Sequence, residues 1–63
     1  MKKGKVKFFN EAKGFGFIKD DENEVDVFVH ATGLNEEIRE NDEVVFEVQD
    51  GKKGLNAINV SLA

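Results

Sequence analysis

Apolar and polar positions alternate along the chain in five short runs, roughly Lys3 to Asn10, Gly14 to Lys19, Val25 to His30, Glu43 to Gln49 and Leu55 to Leu62. Each run is of strand length and enriched in Val, Ile and Phe, which suit a half-buried pleated surface. Between them lie Gly-containing or polar clusters at Asn10–Gly14, Asp20–Glu24, Thr32–Asp42 and Asp50–Gly54, which read as turns and loops. No segment keeps an i, i+3, i+4, i+7 apolar pattern over ten residues. The best helical candidate is Asn35–Arg39, where Asn35 could cap a single turn too short to cover a sheet. The pattern therefore predicts an all-β, five-stranded antiparallel domain. An open sheet of this size would leave one apolar face wet, so a small, curled, partly closed barrel is the economical arrangement. The chain has no proline to guard an edge strand, which leaves that task to curling and to edge lysines.

Strand parity divides the side chains into two faces. In the second strand Phe15, Phe17 and Lys19 share one side and Ile18 takes the other. In the third, Asp26, Phe28 and His30 oppose Val27 and Val29. The Ile and Val set is uninterrupted by charge and makes the better core. Phe15, Phe17, Phe28 and His30 then point outward together, although a register slip of one residue would reverse the assignment. Exposed contiguous aromatics cost solubility and mark a binding surface. Flat rings beside lysines suit single-stranded nucleic acid, whose bases offer apolar faces and whose phosphates offer charge.

The first strand does not resolve in this way. Simple alternation pairs Phe8 with Val6 in the core and leaves Lys5, Lys7 and Phe9 on the other parity. A bulge or strong bend between Lys7 and Phe9 would turn Phe8 to the outer face instead. Gly14 and Gly16 either let a backbone or ligand approach closely or serve as ordinary barrel corners. Asp26 either accepts hydrogen bonds from base edges or is a solvated strand acid. His30 can stack at any pH and pair with phosphate when protonated.

Composition narrows the options. At 63 residues the chain forms one small domain, without room for an active-site cleft of ordinary depth. It has no cysteine and a single histidine, which removes disulfides, thiolate metal sites and a His-based zinc site, so no cofactor is expected. No apolar stretch has signal-peptide or membrane-spanning length, so a cytoplasmic location is expected. The net charge of −4 argues against a polyanionic partner only if its distribution is ignored. Residues 1–19 carry six lysines against one acid, whereas residues 20–50 carry one base, Arg39, against twelve acids. Lys52 and Lys53 form a further basic pair. A basic first third can meet phosphates within an acidic whole, or its lysines can simply solvate a small domain.

The runs GKVKFFN from Gly4 to Asn10, KGFGFI from Lys13 to Ile18 and VFVH from Val27 to His30 together resemble the bacterial cold-shock proteins. The second run looks like the first RNA-binding motif of that family and the third like its second. The resemblance extends to DEVVFE from Asp42 to Glu47 and AINV from Ala57 to Val60, and so spans nearly the whole of residues 1–63. It implies a cold-shock domain with a five-stranded OB-type barrel that binds single-stranded RNA and DNA and melts weak RNA structure as an RNA chaperone, without catalysis. Some family members prevent transcription termination or assist translation. By position, Phe8, Phe15, Phe17, Phe28 and His30 would stack bases, with Phe9 partly exposed beside them. Lys7 and Lys13 would meet phosphate, and Asn10, Asp26 and Asn56 would offer hydrogen bonds. Lys53, in the second basic pair, completes the candidate set.

Three departures bear on strength. The family usually has Trp where Phe8 stands and another Phe where Ala31 stands, and the loop from Thr32 to Asp42 is shorter than usual and lacks its phenylalanine. Fewer bases, or weaker binding, are expected. Among rivals, an RRM also fits the KGFGFI run but needs two packing helices. A barrel that docks a partner protein on its Phe face would explain the rings but not the lysines. An enzyme would need a nucleophile, acid pair or metal site that the loop acids do not form. Single-stranded nucleic acid, rather than a membrane or small-molecule substrate, is the expected partner, and the monomer is the default state.

Overall fold

The computed structural model describes residues 1–51 and 54–63. Its elements are β1 (Lys2–Asn10), β2 (Phe15–Asp20), β3 (Asp26–His30), a 3-10 turn (Ala31–Gly33), β4 (Glu43–Gly51) and β5 (Gly54–Leu62). The strands form a closed barrel in the order β1-β2-β3-β5-β4, with β4 returning to pair with β1. Four of its junctions are antiparallel, and β3 meets β5 in a short parallel pairing, Phe28 with Asn56 and Val29 with Ala57. Closure removes the unguarded sheet edge that a proline-free chain of this size would otherwise expose. No helix among the described residues is long and apolar enough to cross a membrane.

The barrel is filled by the residues that parity assigns inward. Val6, Ile18, Val27, Val29, Val44, Phe46, Ala57 and Val60 are buried, and Phe9, Leu34 and Val48 pack against them. β-Branched side chains dominate this set, as expected where strands curl tightly around a narrow interior. Ile38 joins the same core from the connection between the 3-10 turn and β4.

That connection is where expectation and structure part. Asn35–Arg39 forms no helical turn; the turn lies earlier, at Ala31–Gly33. The cause is tertiary. Leu34 bridges to Val60 in parallel, the Asn35 N–H donates to the Val60 carbonyl at 2.8 Å, and the Asn35 side-chain amide donates to Ser61 Oγ. These bonds draw the segment along β5 in an extended form, and burial of Ile38 holds it there. A single isolated helical turn has too little cooperativity to compete.

The tight turn between β2 and β3 is organised by Asp20, which is 3% exposed. Its Oδ1 accepts from the Glu22 N–H at 2.8 Å, and its Oδ2 faces Lys2 Nζ at 3.4 Å. The Glu22 backbone bond holds the Asp20 carboxyl below its ordinary range against the opposing effect of burial, with Lys2 adding to the lowering.

Candidate nucleic-acid interface

Alternation along β2 and β3 places Phe15, Phe17 and Phe28 half-buried and His30 exposed on the outer face, opposite the buried Ile18, Val27 and Val29. The register pairs Phe17 with Phe28 and Phe15 with His30 across the two strands. Phe15 and Phe28 are stacked, with ring centroids 5.8 Å apart and planes 27° from parallel, whereas Phe17 meets Phe28 edge-on at 5.8 Å and 77°. Such spacings lie in the favourable range for aromatic pairs.

Phe8 joins this set because β1 bulges. The ladder between β1 and β2 runs from Val6 opposite Ile18 directly to Phe8 opposite Phe17, leaving Lys7 without a partner. One extra residue reverses the parity of all that follows it. Val6 stays in the core, and Phe8 turns outward, 38% exposed, with its ring 5.6 Å from that of Phe17. The simple alternation that would bury Phe8 with Val6 is thereby broken. Phe9 turns the other way and packs half-buried on the core, beneath rather than within the ring row.

Gly16 is what the bulge requires on the facing strand. A Cβ there would lie 2.3 Å from the Phe8 carbonyl oxygen and 2.7 Å from Phe9 Cα, both backbone atoms that cannot step aside. The close approach is by the chain's own backbone. Gly14 has a different reason, a φ of +74° in the turn that joins β1 to β2. In that turn Asn10 Oδ1 accepts from the Lys13 N–H at 3.1 Å, so its side-chain oxygen braces the loop that presents Lys13.

Charge surrounds the rings. Lys5 pairs in register with Lys19, and Lys19 with Asp26. Lys7, freed from the ladder by the bulge, reaches Asp26 Oδ2 at 3.0 Å, and both side chains remain solvent-exposed. Lys5, Lys7 and Lys19 border a hollow of about 440 Å³ that Glu24 and Asp26 share. Lys13 is exposed in its turn. At the opposite end His30 Nδ1 accepts from the Thr32 N–H at 3.2 Å, which fixes the imidazole on the outer face. Asn56 is half-buried beside Phe28 across the parallel junction. Lys53 lies outside the described residues.

The structure thus gathers Phe8, Phe15, Phe17, Phe28 and His30 on one face with Lys7 and Asp26 at one end and Asn56 at the other. Three neighbours lie outside the candidate set read from sequence. Lys5 and Lys19 enter through cross-strand register, and Gln49 enters because it is the register partner of Asn56. The parity of Lys19 was legible, but the neighbourhood of Gln49 depends on a parallel junction that leaves no mark in the local pattern.

Comparison with known proteins places this geometry in a family. Residues 2–63 match the model of the 'Cold-shock' DNA-binding domain. The chain is 51% identical over 65 residues to the major cold shock protein of Micrococcus luteus, covering 97% of each sequence. It is 48% identical over 63 residues to the cold shock-like protein CspC of Escherichia coli K12, covering 94% of this chain and 91% of that one. Among solved structures, drosophila Unr CSD456 superposes with a TM-score of 0.80 at 32% identity, over 98% of this chain and 26% of its own. With fold, ring-bearing strands and sequence in agreement over nearly its full length, the chain belongs to the cold-shock domain family.

Proposed function

We propose that this protein binds single-stranded RNA and DNA by stacking bases on Phe8, Phe17, Phe28 and Phe15, while lysines at the rim hold the phosphates. The observation that carries the reading is the unbroken row of four rings, each centroid 5.6–5.8 Å from the next, on the outside of a barrel whose core is already filled. Rings that the core does not need and that lie beside lysines offer each base an apolar face, worth about 1–3 kcal/mol per stacked base. His30 extends the surface past Phe15, and Lys7 supplies charge from the bulge in β1 while Lys13 supplies it from the β1–β2 turn.

Stacking is tolerant of base identity, so the surface suits an RNA chaperone that holds unpaired segments open and lets them go. Antitermination and support of translation are uses to which the same surface could be put. The test is titration of a labelled pyrimidine oligonucleotide across a salt series. Affinity is expected to fall linearly on logarithmic axes, because lysine contacts release counterions, yet to persist at high salt because stacking remains. Salt-independent binding would remove the lysines from the interface, and preference for duplex over single strand would overturn the reading.

A further inference from the structure

The ring row does not stop at β3. Following the register across the barrel from Phe8, the partners are Phe17, then Phe28, then Asn56 across the parallel junction, then Gln49 on β4. Five strands therefore contribute one continuous girdle, aromatic over its first part and amide-bearing over its last. Beside the amide part lies a cleft of about 190 Å³, lined among others by His30, Thr32, Asn35, Gln49, Asn56 and Asn59. Among the described residues no lysine or carboxylate lines it. Its size is below the roughly 300–1,000 Å³ typical of drug-sized ligand sites, and is better suited to a single heterocycle.

The hydrogen-bonding groups of this cleft are partly committed and partly open. Asn35 donates its amide to Ser61 Oγ at 3.2 Å, and Asn59 donates to Glu47 Oε2 at 2.9 Å, which fixes both side chains. The side-chain amides of Gln49 and Asn56 make no hydrogen bond among the described residues. Asn56 leans over Gly51, where a Cβ would stand 2.3 Å from its Nδ2, so the missing side chain leaves room for the amide. A primary amide offers donors and an acceptor together, the complement of a base edge.

We propose that this cleft takes the edge of one base of the bound strand, with Gln49 as its principal reader and Asn56 beside it. The proposal rests on the single-strand reading and adds to it a position where base identity matters. Rings accept any base face, whereas an amide pair discriminates between edges. The site lies at the end of the platform where Ala31 stands, and it supplies hydrogen bonding where stacking surface is short.

The test uses the full chain and thymidylate oligomers of increasing length, together with the same oligomers carrying one abasic position moved stepwise along the strand. Wild-type protein is expected to gain affinity when the strand becomes long enough to pass the rings, and to lose that gain at one abasic position. Replacing the base at that position should change affinity about three- to tenfold, the scale of one or two neutral hydrogen bonds. Gln49→Ala is expected to abolish this discrimination while leaving the shortest bound oligomer within about twofold, and the side-chain amide resonances of Gln49 and Asn56 should shift only with strands that carry the base. An unchanged length and base dependence in Gln49→Ala, or amide resonances that never move, would overturn the cleft while leaving the rings intact. Failure of the wild type to bind any oligomer would instead overturn the reading beneath it.

Discussion

Phe17 occupies the middle of the ring row, touching Phe8 on one side and Phe28 on the other. It is half-buried, and the barrel interior does not depend on it. Phe17→Ala is therefore expected to cost about 1–3 kcal/mol of oligonucleotide binding while leaving a folded, cooperatively melting protein. Val29→Ala, on the same sheet but fully buried, should do the reverse and cost stability first. Paired titration and thermal melts separate the two, and a collapse of the fold in Phe17→Ala would return that ring to the core. Phe8→Trp tests the other end. Phe8 is exposed, and its outward placement is fixed by the Lys7 bulge and not by ring size. A larger ring there should tighten binding by a few fold, read by titration, and it would also give this Trp-free chain an intrinsic fluorophore.

At the scale of elements, the β2–β3 turn contributes to the acid sensitivity of the fold through Asp20. Asp20 is held below the usual aspartate range chiefly by the Glu22 N–H, so its contribution to stability is complete above the unfolded-state value and is lost as pH falls through the lower folded-state value. Asp20→Asn keeps an acceptor but loses the charge and should cost roughly 1 kcal/mol at neutral pH, the difference between a charge-assisted and a neutral hydrogen bond. The deficit should shrink toward zero in strong acid, where wild type is also protonated. Urea unfolding at a series of pH values measures it, and a constant deficit down to strong acid would contradict the linkage. The five strands themselves were readable because alternation and turn residues agreed at each boundary. Phe15, Phe17, Phe28 and His30 followed from parity for the same reason. Phe8 did not, because a bulge consumes one residue without a local signal, and its facing signature, Gly16, is ambiguous until the strands are paired. The Asn35–Arg39 segment failed for a different cause, since its conformation is dictated by β5, more than twenty residues away. β5 has its own irregularity. The register slips between Val45 and Glu47, and Asn59 adopts φ +51° there, a left-handed conformation that Asn tolerates better than most residues, anchored by its bond to Glu47.

For the whole molecule, the charge imbalance along the sequence becomes a spatial one. The lysine-rich first third forms β1 and β2 and brings Lys5, Lys7 and Lys19 to one hollow beside the rings. A net charge of −4 therefore coexists with a basic rim on one part of the surface. What no local pattern could disclose is how the barrel shuts, because pairing Phe28 and Val29 with Asn56 and Ala57 is a matter of topology. That junction also has a meaning in time. β1, β2 and β3 can assemble from neighbouring hairpins, but the β3–β5 junction must wait for the last part of the chain, and contacts distant in sequence form slowly. A nascent chain that has emerged only through His30 already carries every ring of the platform, yet lacks the strand that completes the barrel behind it. The complete barrel that carries the platform therefore forms only once β5 has been made and docked against β3. The same junction should be the first to open in the mature protein, so the amides of Val29 and Ala57 are expected to exchange with deuterium sooner than those of the longer β1–β2 ladder; equal protection throughout would mean that the barrel opens only as a single unit.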